Sequence, residues 1–127
     1  MDADTHRKLA RANGIGRAAI GTTLTVAPAL ATRGWIGDKA AAGPGGQVLG
    51  RALGIRDLVI GAGLLWALDR KEPAHAWLVA ASAADAVDAA ATLLNWNDLP
   101  KAGRIGILAI AAGSAVQMGF LAAQADA

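Results

Sequence analysis

The sequence has no cysteine and no tyrosine, and a single phenylalanine accompanies its four tryptophans. Without cysteine there is no disulfide, no thiol nucleophile and no thiolate-bound metal. Charge is scarce as well: Asp, Glu, Lys and Arg make up 17% of the residues, against about 25% in an average soluble domain. With 54% hydrophobic residues, little is left to face water. The net charge is only +2, and the basic residues fall near the ends of apolar segments, not in a patch interleaved with aromatics. Nucleic-acid binding is therefore not expected. The length, 127 residues, fits one domain over 1–127, with no room for a catalytic module beside a membrane anchor.

What the sequence does have is apolar length. Ile105 to Ala125 is 21 residues without a charge, and a membrane span needs about 20. Ala18 to Thr32 is a second uncharged run, which extends back past Arg17 if that side chain reaches to the interface. Val48 to Leu68 is interrupted by Arg51, Arg56 and Asp57, and Ala74 to Trp96 by Asp85 and Asp88. Stretches rich in Gly, Pro, Asp and Lys separate the four segments, as loops do. The four tryptophans fall near segment ends, where an interfacial belt is expected.

The expected architecture is all-α: an integral membrane, four-transmembrane-helix up-down bundle with helices at about 12–32, 47–68, 74–97 and 102–125. Met1 to Arg11 reads as a polar arm, and the apolar stretch behind it as a retained first helix, since no cleavage site is evident. Pro28 is expected to kink that helix. A soluble Ala-rich bundle would tolerate the charges inside the second and third segments, but the fourth segment lacks the polar face a surface helix needs. Arg7, Lys8, Arg11, Arg70 and Lys71 on one side outnumber Arg33, Lys39, Lys101 and Arg104 on the other. This bias predicts a multi-pass protein of the inner (cytoplasmic) membrane with both termini cytoplasmic.

The charges inside the spans are the candidate site. Segments two and three form a hairpin around Asp69–Pro73. Arg56 lies fifteen residues before Lys71, and Asp85 and Asp88 lie fourteen and seventeen after it. All three then sit roughly 18 Å from the loop, inside a hydrocarbon layer about 30 Å thick. Asp85 and Asp88 share a helix face, and Ser82, Thr92 and Asn95 extend it as a polar stripe. Asp57 is about 100° around its helix from Arg56, so one of the two should face segment one or four, where Thr22, Thr23, Ser114 and Gln117 offer partners. Arg51 belongs to the cluster or reaches to the interface, while Arg7, Lys8, Arg11 and Arg17 are expected to hold anionic headgroups. Two arginines against three aspartates leave a carboxylate in excess, and in low dielectric one carboxyl is expected to hold a proton.

Asp85, Asp88 and Asp57 are thus candidate acid–base groups, and Arg56, Arg51, Thr92 and Asn95 candidate ligand-binding groups. The bland reading, in which Arg–Asp pairs only fix helix register, competes with this one. His6 and His75 have no metal-ligand spacing and are read as separate structural or interfacial residues. Gly14 and Gly16 lack the third glycine of a dinucleotide fingerprint, so no cofactor is expected.

Gly50-Arg-Ala-Leu-Gly-Ile-Arg-Asp57, the apolar run after it and the Asp85-x-x-Asp88 pair resemble the family called domain of unknown function 4267. Its members are small four-helix membrane proteins common in actinobacteria. The resemblance runs over nearly the whole chain, most clearly Gly50 to Asp88, and Arg51, Arg56, Asp57, Asp85 and Asp88 match its pattern. It implies the fold and the membrane but no activity. From the residues, the leading reading is a pocket that binds a lipid-like or small apolar molecule through the Arg/Asp site. The alternatives are a membrane-embedded acid–base enzyme of isomerase, cyclase or epoxide-opening type, and an accessory subunit of a larger membrane complex. Membrane lipids, a second copy of the chain or a complex partner are the expected neighbours.

Overall fold

Asp2 caps the first helix through its side chain, which accepts the Thr5 amide at 2.8 Å. The expected polar arm is therefore helical from its third residue. In the computed structural model, which describes residues 1–125, six α-helices follow one another: α1 (Ala3–Val26), α2 (Pro28–Ile36), α3 (Asp38–Ala42), α4 (Pro44–Arg70), α5 (His75–Leu94) and α6 (Lys101–Gln124). A short 3-10 turn, Trp96–Asp98, precedes α6, and there is no strand among the described residues. The last two residues of the domain expected over 1–127 lie outside the described residues.

The boundaries correct the expected ones at two places. Pro28 does not kink the first helix but ends it. Ala27 leaves the helical region at φ −132°, ψ 66°, as a residue before proline prefers to, and Pro28 then opens α2 at its first turn. The loop expected before the second span contains α3. At the far end of α4, Lys71 takes a left-handed conformation (φ 57°), and the amides of Lys71 and Glu72 return to Leu68 and Ala67. That paired return closes the helix and turns the chain into α5.

Four long helices make a bundle in which neighbours run antiparallel, in the cyclic order α1, α4, α5, α6. Glycine fixes the first contact. A β-carbon on Gly21 would lie 2.5 Å from the Leu58 nitrogen and 2.6 Å from the Gly54 oxygen, and one on Gly61 would lie 2.7 Å from the Gly14 oxygen. The two backbones touch directly, which larger residues would forbid. The α5–α6 pair is tied by Ser82, which donates to the Ala115 carbonyl at 2.7 Å. His6 and His75 donate to successive carbonyls near the end of α6, Leu121 at 2.8 Å and Ala122 at 2.9 Å. The two histidines, read from sequence as far apart, thus converge on one helix end, where a donor offsets unpaired carbonyls.

The apolar core occupies one half of the bundle, the half nearest the chain's beginning. Leu64, Leu78, Met118 and Leu121 are fully buried there, with Ile60, Leu68 and Ala81 around them. The outer surface is unlike that of a water-soluble bundle. Over residues 12–32, 52–68, 76–94 and 105–124 no exposed side chain is charged. Ile20, Ile55, Val59, Val87, Ile110 and Phe120 are each more than half, or half, exposed. Two helices, α5 and α6, are long and apolar enough to cross a membrane. The other two have the length but lose apolarity to glycines and to charges, of which Arg17, Arg56 and Asp57 at mid-helix are buried or half-buried and the exposed ones lie towards the ends.

Candidate functional site

At mid-length of the four helices, five charged side chains join in one string. Arg17 of α1 donates through Nη2 to Asp85 Oδ2 at 2.5 Å and through Nη1 to Asp57 Oδ1 at 3.1 Å. Arg56 grips Asp88 with both terminal nitrogens, at 2.9 and 2.7 Å, and also reaches Asp57 Oδ1 through Nε and Nη2, at 3.3 and 3.2 Å. The order is Asp85, Arg17, Asp57, Arg56, Asp88, with signs alternating and a carboxylate at each end. Ser114 of α6 extends it, donating to Asp85 Oδ2 at 2.5 Å. Asn13 braces it, accepting from Arg17 Nε at 3.2 Å and donating to Ser114 Oγ at 3.0 Å.

The fork-shaped guanidinium explains why arginine, and not lysine, holds these junctions: each spreads its donors over two carboxylates. Arg17, Asp57 and Asp85 are 6%, 8% and 7% exposed. Charges so deeply buried are tolerated only when paired and hydrogen-bonded, as all three are.

The string is the floor of a cavity of about 590 Å³. The cavity fills the half of the bundle that lacks the apolar core, with Leu24, Leu53, Trp35 and Ile107 among its walls. Helix α2 closes the far end, where Gly103 meets the Gly34 carbonyl. Beyond the Asn13–Ser114 bond, no further hydrogen bond among the described residues links α1 and α6 on the cavity side. Gly16 and Ile20 of α1 and Ile110 of α6 border the cavity there, and Ile20 and Ile110 are 55% and 67% exposed. The cavity therefore opens sideways, between helices, onto an apolar surface.

The structure brings together four of the seven sequence-predicted residues, Arg56, Asp57, Asp85 and Asp88. Arg51 is not among them: it is exposed and donates to Gln47 on its own helix at 3.3 Å. Five positions from Arg56, it points about 140° away around the helix. Thr92 is buried but lies outside the cavity wall, donating to the Asp88 carbonyl and accepting from Trp35 Nε1 at 3.0 Å. Asn95 is exposed at the end of α5 and donates to Ala91 on its own helix, so the expected polar stripe stops at Thr92. Thr22 and Thr23 likewise donate to their own helix. Sequence reasoning missed Arg17, which it placed at a headgroup. Arg7 and Arg11 are also engaged within the chain, with the Leu68 carbonyl and Asp69. The expected excess of one carboxylate holds, with Arg17 in the place of Arg51.

Among the described residues no three His, Asp or Glu are grouped as metal ligands. Comparisons with protein-family models, curated proteins and solved structures return no match to the chain.

Proposed function

We propose that this chain is a four-span protein of the cytoplasmic membrane that holds a lipid-like or small apolar molecule in its half-bundle cavity, entered from the bilayer. The resemblance to the four-helix family implies the bundle and the membrane, though no activity. The observation that carries the reading is the cavity itself: apolar walls, a charged floor at mid-depth, and a side opening between α1 and α6. Its volume, about 590 Å³, falls within the usual span of small-molecule pockets, roughly 300–1,000 Å³. A mouth bordered by exposed isoleucines favours a ligand that arrives in lipid over one that arrives in water. The charge-free outer faces support a membrane location, because a helix surface that meets water carries a polar face. The inward charges of α1 and α4 are compatible with spanning, since ionisable groups in a membrane bundle face its interior and pair there. The basic residues at the α4–α5 turn and the chain's beginning favour the cytoplasm for that end.

The test is extraction of the chain in native nanodiscs and mass spectrometry of what accompanies it. Ala111 lines the cavity and is buried, so Ala111→Phe fills the space from one wall. A small molecule enriched over bulk lipid with the natural chain, and depleted with the variant at unchanged helicity, is the expected result. Identical content in both refutes the reading.

A further inference from the structure

The hydrogen-bond balance of the cavity floor names the chemistry of its ligand. Every guanidinium nitrogen of Arg17 and Arg56 already donates to a protein oxygen. Seven of the ten guanidinium N–H groups are thereby engaged, which fixes both arginines in place. Two carboxylate oxygens, by contrast, have no partner at all: Asp57 Oδ2 and Asp85 Oδ1 take no hydrogen bond from any described residue, while their sister oxygens take all of the contacts. Neither free oxygen is sealed in, since the one buried side-chain polar atom without a partner among the described residues is Arg104 Nε, elsewhere in the fold. Both aspartates line the cavity, and one guanidinium, that of Arg17, bridges them.

Charge points the same way. The ionisable groups lining the cavity are Asp85, Arg17, Asp57, Arg56 and Asp88, with one carboxylate in excess. An ionised carboxylate is an acceptor only, and a buried charge calls for an opposite one. We propose that the ligand is an apolar amine, whose protonated nitrogen donates to Asp57 Oδ2 and Asp85 Oδ1 and whose tail lies along Leu24, Leu53 and Ile107. An anionic headgroup fits poorly, because it adds negative charge to a floor that already carries one carboxylate in excess. This inference rests on the binding function proposed above and narrows it to one ligand class.

Three compounds with the same ten-carbon tail separate the outcomes: decylamine, decanol and decanoate. Each is radiolabelled and titrated at pH 7 onto the full chain in phosphatidylcholine nanodiscs, with protein-free nanodiscs subtracted. Decylamine is expected to saturate at one per chain and to bind about tenfold more tightly than decanol, the step from a neutral to a charge-assisted hydrogen bond. Decanoate is expected to bind more weakly still. Asp85→Asn, which removes the excess charge, should erase the preference for the amine, while the comparison on the natural chain needs no variant. Decanol binding as tightly as decylamine overturns the amine assignment, since a proton then supplies the missing charge. Decanoate binding most tightly overturns it too; in both cases the cavity remains a binding site. Saturation by none of the three overturns the binding function as well.

Discussion

Replacing Arg17 by leucine should be among the most damaging single changes in this chain, and replacing Arg51 one of the mildest. Arg17 is 6% exposed and holds two carboxylates. Asp57 survives its loss, because Arg56 still donates to the same oxygen at 3.2 and 3.3 Å. Asp85 does not: its only other donor among the described residues is Ser114. The loss is thus one broken buried pair, about 3–5 kcal/mol, or roughly two to almost four powers of ten in the unfolding constant. Arg51 is exposed and bonds only to Gln47, so its removal should stay within about 0.5 kcal/mol. Titrating helicity with SDS in mixed micelles measures both. A second change, Asp85→Leu on top of Arg17→Leu, removes the orphaned carboxylate and should recover most of the loss, since apolar replacement of a whole buried pair is close to neutral. Arg17→Leu behaving like Arg51→Leu would refute the assignment of the floor, and a double variant worse than the single would refute the orphan argument.

The same titration should separate two glycines: Gly21→Ala, whose β-carbon meets the α4 backbone at 2.5 Å, loses about 1–3 kcal/mol by overpacking. Gly113→Ala meets nothing within 4 Å and should gain up to about 1 kcal/mol from the higher helix propensity of alanine. At the α4–α5 turn, the Arg11 side-chain hydrogen bond holds the Asp69 carboxyl below its ordinary value of 3.8. A lowered folded value means that this contact stabilises above pH 3.8 and is lost as pH falls through the lower value. Carbon-13 titration of Asp69 should move upward in Arg11→Gln, and an unmoved titration would discount the contact. Because the chain has no cysteine of its own, single cysteines report topology without background. A membrane-impermeant maleimide added to intact cells should label Lys39→Cys and Lys101→Cys but spare Lys71→Cys, and the reverse pattern would invert the proposed orientation.

The Arg56–Asp88 pair was legible because a four-residue turn fixes the register of α4 against α5, so counting outward from Lys71 places the two side chains together. Arg17 was not, because seventeen residues and two short helices separate α1 from α4. No hairpin count crosses that gap. The signal was in the glycines: Gly14 and Gly21 are seven apart on α1, and Gly54 and Gly61 are seven apart on α4. Matched in antiparallel register, they bring Arg17 beside Asp57. Asn95 was placed on the polar stripe by its spacing, seven residues and so about 20° from Asp88, but α5 ends at Leu94 and Asn95 caps it beyond the reach of the site. The cavity was legible only as an expectation of location. Its volume depends on how α2 folds over the open half, and that follows from Ala27 breaking the helix, a backbone event that the Pro28 residue signals without fixing its direction.

In a bilayer, ionisable groups that run from face to face conduct protons and drain the gradient on which the cell depends. The charge string here runs across the bundle instead, from α6 through α5, α1 and α4 and back to α5, at one level. Beneath it Leu64, Leu78, Met118 and Leu121 form a layer with no exposure at all. Nothing in that layer can relay a proton, and the histidines at the end of α6 lie beyond it. The chamber is blind on that side, the form that the proposed receptacle needs and a conduit does not have. In the proposed membrane setting, such a chain would hold five ionisable side chains at mid-depth without short-circuiting the bilayer.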